Sequence, residues 1–254
     1  MAQRVLVTAG GSGIGKEIAR AFVASGAKVC VCDIDQSALA SAAREIAGLI
    51  TKACDVSKRQ DIERMVPEAV DALGGLDVLV NNAGIAGPTA PVEQVDPDAW
   101  EKVMQIDLNG TFNVTRVAIP HLKKSKAGVI INMSSVAGRF GYRNRSPYST
   151  AKWGIIGFTK TLSIELGEYG IRANAILPGA VAGPRIERVF EGRAQATGKP
   201  LDEVRKEAMA AQSIKRLVDP KDIAALAVFL ASDAAKSISG QMLPIDNDMQ
   251  DTGG

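Results

Sequence analysis

The chain has 254 residues, 46% hydrophobic and 23% charged, which is enough apolar material for one large core. Its 30 basic and 28 acidic side chains leave a net charge of +2, which excludes the basic footprint of a nucleic-acid-binding protein and an acidic tail. No apolar run approaches the ~20 residues of a membrane span, and 3 cysteines with 1 histidine make neither a disulfide framework nor a zinc site.

Strand-like apolar runs alternate with helical periodicity from end to end. Met1-Ala2-Gln3-Arg4 leads straight into a first strand at 5–7, so no signal peptide is expected. A glycine-rich turn follows, then a helix with Ile18, Ala19, Phe22 and Val23 on one face, stopped by Gly26. Further strands are expected at 29–32, 49–54 and 76–80, separated by helices at 37–47 and through Ile62, Met65, Val66 and Val70. Cys30 and Cys32 share one strand face, so with Cys54 they read as small buried hydrophobes in a reducing, cytoplasmic setting, and no metal is expected.

One long helix is predicted over 98–124, with His121 as a structural residue, followed by a strand at 129–133 and a helix through Tyr148 to about 167. A sixth strand at 172–177, a charged helical insertion over about 184–216, a helix from Pro220 and a seventh strand at 241–245 complete the pattern. Strands apolar on both faces, alternating with helices, predict a single α/β domain over 1–254. Its architecture is a doubly wound Rossmann fold, a seven-stranded parallel sheet with helices on both faces and ligands at the carboxyl ends of the strands.

Two stretches carry chemistry. Thr8-Ala9-Gly10-Gly11-Ser12-Gly13-Ile14-Gly15 lies between the first strand and the first helix, where backbone amides and the positive end of a helix dipole meet a pyrophosphate. Asp33 directly follows the second strand; a carboxylate there accepts from ribose hydroxyls and repels a 2′-phosphate, which points to NAD. Tyr148 and Lys152 lie one helical turn apart on the same face, and the ammonium favours the phenolate of a side chain that otherwise ionises near pH ~10. Ser135, after the 129–133 strand, can hold a carbonyl or alcohol oxygen beside the tyrosine.

Together with Asn81-Asn82-Ala83-Gly84 and Pro178-Gly179, these elements resemble the short-chain dehydrogenase/reductase family over essentially the whole chain. The resemblance implies Tyr148 as general acid/base, Ser135 orienting the substrate oxygen, and Lys152 lowering the tyrosine pKa while holding the nicotinamide ribose. It implies that Ala9, Ser12, Gly13 and Ile14 bind the cofactor, that Asp55 and Val56 lie against the adenine, and that Asn82, Ala83 and Gly84 present backbone to the adenosine ribose, with Asn81 bracing the sheet. Pro178, Gly179 and Val181 would bound the nicotinamide pocket. A homotetramer joined through the 98–124 and 147–167 helices is the implied assembly.

Four positions depart from the family pattern. Ala9 replaces the first glycine of the turn and is compatible with it if φ stays negative. Asp107 stands where the family has the asparagine that helps hold a proton-relay water through its carbonyl; its charge would oppose deprotonation of the lysine. Gly183 replaces a threonine that bonds the nicotinamide carboxamide. Asp246-Asn247-Asp248 replaces Asp-Gly-Gly.

The substrate side is built from 136–147 and 184–216. Arg139, Arg143 and Arg145 in the first stretch and Arg185, Arg188 and Arg193 in the second suit a carboxylate, sulfonate or phosphate, or form a solvated rim or pair across subunits, while Phe140, Tyr142, Val189 and Phe190 favour a partly apolar substrate. The expected activity is NAD-dependent hydride transfer between the cofactor and a secondary alcohol or ketone, such as an anionic hydroxy acid or a sugar derivative. The alternatives are a carbonyl reductase of the 3-oxoacyl-thioester type, which would favour NADP, and a catalytically silent NAD-binding sensor.

Overall fold

Seven short strands form the frame of the computed structural model, which describes residues 2–251. They are β1 (Arg4–Thr8), β2 (Lys28–Asp33), β3 (Ile50–Ala53), β4 (Val78–Asn81), β5 (Val129–Met133), β6 (Arg172–Pro178) and β7 (Met242–Ile245). All neighbours pair in parallel, in the order β3-β2-β1-β4-β5-β6-β7. The chain winds outward from β1 to β3, then returns to the centre to place β4 on the other side of β1. The β1/β4 boundary is therefore the switch point, where flanking loops diverge and leave a crevice.

Because side chains alternate along a strand, each strand feeds both faces of the sheet. Val5, Val7, Val29, Val31, Val78, Val80 and Ile131 meet α1 (Gly13–Ala24) and α9 (Pro220–Ala231) through Ile18, Phe22, Ile223 and Leu230. Leu6, Cys30, Cys32, Leu79 and Ile130 meet α3 (Arg59–Leu73), α5 (Gly110–Leu122) and α6 (Ser146–Leu166) through Ile62, Met65, Leu122 and Leu162. Each large aliphatic side chain so enclosed stabilises the fold by about 1.5–3 kcal/mol relative to exposure. α2 (Gln36–Glu45) covers the β2/β3 edge and begins at Asp35, whose carboxylate accepts from the amides of Ser37 and Ala38.

Polar groups in the core bond one another. Asn81 Nδ2 donates to Thr115 Oγ1 at 2.9 Å and to Asn132 Oδ1 at 2.8 Å, and Asn132 Nδ2 donates to Thr159 Oγ1 at 2.9 Å. This ladder ties β4 and β5 to α5 and α6, so Asn81 braces the sheet.

The predicted 98–124 helix is not uniform. It comprises α4 (Pro97–Val103), a π-helical segment (Met104–Asn109) and α5, with Asp107 inside the π segment. One wide turn rotates the helix face, and such turns concentrate at functional sites. The 184–216 insertion folds as α7 (Pro184–Thr197) and α8 (Leu201–Ala210), held by a small core of Phe190, Val204 and Ala208.

Candidate active site

The turn after β1 is held by its neighbour across the switch point. Asn82 Nδ2 donates to the carbonyls of Thr8 and Ala9 at 3.1 Å each, and Thr8 Oγ1 accepts from the amides of Asn82 and Ala83 at 3.0 Å. Asn82 thus works through its side chain on the turn as well as through its backbone. Gly15 is required by closeness: a Cβ there would overlap the Ala9 carbonyl oxygen and lie 2.6 Å from Asn82 Nδ2. Ser12 begins α1 without a side-chain cap and no acidic residue occupies the first turn, so the leading amides remain available to an anion. Ala9 departs from expectation. Its φ is +49°, in the left-handed region, so its methyl is accommodated under strain rather than by a negative φ.

Asp33 ends β2 with its carboxylate fixed, Oδ2 accepting from the Gly11 amide and Oδ1 from the Asp35 amide, both at 3.1 Å. Lys16, the cation nearest in sequence to the turn, is held 3.0 Å from Glu45. Asp55 follows β3 and accepts from the amide and hydroxyl of Ser57, and the Val56 carbonyl lies against Gly110. The turn, the Asp33 carboxylate and the uncapped helix end have the donor and acceptor chemistry that suits a dinucleotide.

Tyr148 and Lys152 rise from α6, with the ammonium 5.5 Å from the centre of the phenol ring. Ser134 Oγ donates to the Lys152 carbonyl at 2.8 Å, seating α6 against the end of β5. Lys152 Nζ donates to the Met133 carbonyl at 3.1 Å and stands 3.4 Å from Asp107 Oδ2. Asp107 Oδ1 accepts from the Ile85 amide at 2.8 Å, and the Asp107 carbonyl accepts from Thr111 Oγ1 at 2.8 Å. The residue that replaces the family's asparagine therefore joins the loop after β4 to Lys152 through its carboxylate. Burial pushes the Tyr148 phenol up, but Lys152, Arg185 and the hydrogen bond with Ser135 outweigh it and hold the phenol below its usual range, while Asp107 opposes them.

A cavity of about 560 Å³ opens between these groups. Ala9, Ser12, Gly13, Ile14, Asn82 and Gly84 border it on the turn side, and Ser135, Tyr148 and Lys152 on the chemical side. Pro178, Gly179, Val181 and Gly183 close it after β6, and α7 and α8 form its lid with Ile186, Val189, Phe190 and Ala208. Asp33, Asp55, Val56 and Ala83 do not line this cavity; they stand beyond the turn at the same carboxyl edge of the sheet. Gly183 has φ +140°, which a threonine would adopt only under strain, and this accounts for glycine there.

The substrate-side arginines separate. Tyr142, Arg145 and Arg185 line the cavity. Arg139 does not: it donates to the Met249 carbonyl at 3.1 Å, lies 3.9 Å from Asp246 and covers the Phe140 ring, so it fastens the C-terminal segment instead of facing a substrate. Phe140 is likewise absent from the lining. Arg188 and Arg193 also border the cavity, and so does Met249, which sequence reading missed. Met249 arrives by way of Asn247 and Asp248, at φ +59° and +54°, conformations that Asn and Asp tolerate better than other non-glycine residues. Asn247 Nδ2 donates to the Arg216 carbonyl at 2.6 Å and Ser213 Oγ donates to Asp248 at 2.6 Å, so the polar pair that replaces two glycines ties the chain end to the lid.

The sequence profile of a family described as "Enoyl-(Acyl carrier protein) reductase" matches residues 8–249. The chain belongs to the short-chain dehydrogenase/reductase family. A D-beta-hydroxybutyrate dehydrogenase from Cupriavidus necator is 38% identical over 246 residues, covering 95% of each chain. Among solved structures, an NAD+-bound xylitol dehydrogenase superposes with a TM-score of 0.92 at 30% identity, over 96% of this chain and 97% of that one. An actinorhodin polyketide ketoreductase carrying NADPH gives a TM-score of 0.92 at 32% identity, over 97% of this chain and 96% of that one. This short-chain dehydrogenase/reductase is an oxidoreductase that acts on a small molecule with a nicotinamide cofactor.

Proposed function

We propose that the protein interconverts a secondary alcohol and its ketone with NAD, using Tyr148 as the proton-transfer group. The observation that carries this reading is the Tyr148 phenol, held below its ordinary range at the wall of a cavity that also reaches the uncapped helix end. NAD, when bound, supplies hydride exchange at the reacting carbon. Ser135 Oγ orients the substrate oxygen, Tyr148 Oη takes its proton during oxidation and returns it during reduction, and Lys152 stabilises the phenolate. The Ser12 end of α1 holds the phosphates, and Pro178, Gly179 and Val181 keep water from the reacting face.

The choice of NAD over NADP rests on the fixed Asp33 carboxylate and on Lys16 being engaged by Glu45. One solved relative holds NAD+ and the other NADPH, so direct titration is the test. The account predicts NAD binding and NADH formation with an alcohol panel, with NADP at least tenfold weaker. Preference for NADP would favour an acyl-thioester reductase, and tight NAD binding without turnover would favour a sensor.

Assembly as a homotetramer is supported by Phe112, Trp153 and Ile164, 48%, 50% and 82% exposed on α5 and α6. A monomeric sedimentation coefficient would contradict it. Unpaired, buried cysteines suit a reducing cytoplasm; burial pushes the Cys30 thiol up to about 12, which keeps it inert.

A further inference from the structure

Among the described residues, the charged side chains that line the cavity are all cations. Arg145, Arg185, Arg188 and Arg193 border it with Lys152, and no Asp or Glu does. Arg145 is the enclosed arginine of the set, 2% exposed. Its Nη2 donates to the Ala86 carbonyl at 2.6 Å, while its Nε is buried with no hydrogen-bond partner. Neither Arg145 nor Arg185 pairs with a carboxylate among the described residues.

Both guanidinium groups face the catalytic phenol. Arg145 lies 5.1 Å and Arg185 5.8 Å from the centre of the Tyr148 ring, and Arg145 is also 5.5 Å from the Tyr142 ring. An enclosed guanidinium without a counter-ion is costly, because the desolvated charge has nothing to offset it. Burial accordingly holds the Arg145 pKa below its ordinary value; the tyrosines Tyr142 and Tyr148 oppose this, and Arg185 and Arg193 add to it. Nη2 of Arg145 and Nη1 of Arg185 are committed to the carbonyls of Ala86 and Gly84, which leaves the other terminal nitrogen of each to donate. Such a pair suits the two oxygens of a carboxylate.

We propose that the substrate is a small secondary hydroxy acid, or the matching keto acid, whose carboxylate is gripped by Arg145 and Arg185 while its hydroxyl sits at Tyr148. This rests on the alcohol-dehydrogenase reading above and adds the charge of the substrate. Oxidation breaks the carbinol C–H and O–H bonds; the hydride passes to the nicotinamide, the proton to the Tyr148 phenolate, and a keto acid leaves. The rival role for the two arginines is to stabilise the phenolate alone, for any substrate.

The test uses hydroxy acids whose carboxyl lies one, two or three carbons from the carbinol, each beside its neutral primary amide, on the full-length protein at the plateau of its pH profile. The best acid should exceed its amide in kcat/KM by roughly 100-fold, and Arg185→Gln and Arg145→Gln should each cut that ratio at least tenfold, with Arg145→Lys recovering part of it. Arg185 is exposed, so its variant remains informative if the Arg145 variant does not fold. A second arm needs no turnover: butyrate should bind the NADH-saturated protein at least tenfold more tightly than butyramide by calorimetry, and Arg185→Gln should erase the difference. Butyrate preference without turnover of any acid or amide would retire the dehydrogenase reading and keep the anion site. Equal handling of acids and amides in both arms, or a ratio that neither variant lowers, would overturn the proposal and point to the phenolate role.

Discussion

The Asp107 carboxylate lies 3.4 Å from the Lys152 ammonium, and both are closed off from solvent. Asp107 raises the Tyr148 pKa against the lowering by Lys152 and Arg185. Oxidation requires the phenolate, so its rate rises as pH passes through the phenol pKa. Asp107→Asn removes the opposing charge, lowers that pKa further and should move the rising limb of kcat/KM for alcohol oxidation to lower pH. A limb that stays in place or moves up would contradict the role given to Asp107.

Truncating the same residue has a different consequence. Asp107→Ala takes the acceptor from the Ile85 amide and leaves a buried ammonium whose remaining hydrogen bond among the described residues is to the Met133 carbonyl. Breaking a buried ion pair on one side costs about 3–5 kcal/mol. Urea unfolding should show a loss of that order in both variants, since both remove the counter-charge of Lys152, and a larger one in the alanine variant, because the asparagine side-chain oxygen can still accept from Ile85.

Ala9 should be improvable. At φ +49° a non-glycine residue carries about 1–2 kcal/mol of strain, while glycine costs about 0.5–1 kcal/mol through the freer unfolded chain. Ala9→Gly should therefore stabilise the protein by up to about 1 kcal/mol, read from its denaturation midpoint, with NAD affinity retained. A destabilised variant would show that the strain is absent.

Two glycines of the same turn should respond unequally. Gly13 has φ +53° with open space around it, so Gly13→Ala meets only backbone strain of about 1–2 kcal/mol. A Cβ at Gly15 would instead drive into the Ala9 carbonyl and the Asn82 amide that hold the turn. Gly15→Ala should abolish NAD binding and destabilise the protein by more than Gly13→Ala; calorimetric titration and urea unfolding together decide it.

The seven strands were legible because each is a short apolar run between turn residues; Tyr148, Lys152 and Ser135 were picked out only through the resemblance that they share with the glycine-rich turn and the Asn81-Asn82-Ala83-Gly84 run. What escaped the sequence depends on non-local packing. Ala9 has a positive φ in a turn whose carbonyls are bonded by Asn82 from the next strand across, a contact that no local pattern reports. The π turn at Asp107 changes a helix face by one residue without altering its apolar periodicity. Arg139 and Arg145 look alike in the sequence, yet one fastens the C-terminal segment and the other lines the cavity, because the 136–147 loop reverses between them. Met249 carries no local signal at all; it reaches the cavity only because Asn247 and Asp248 fold back toward the lid.

The most direct measurement is NADH formation by Tyr148→Phe, set beside calorimetric NAD binding by the same variant, with the best alcohol or hydroxy acid as substrate. Loss of the acidic hydroxyl should lower kcat by about 10²–10⁴-fold while NAD affinity stays within a fewfold of the parent. Turnover within about tenfold of the parent would show that the proton moves through another group, and the assignment of Tyr148 would fall.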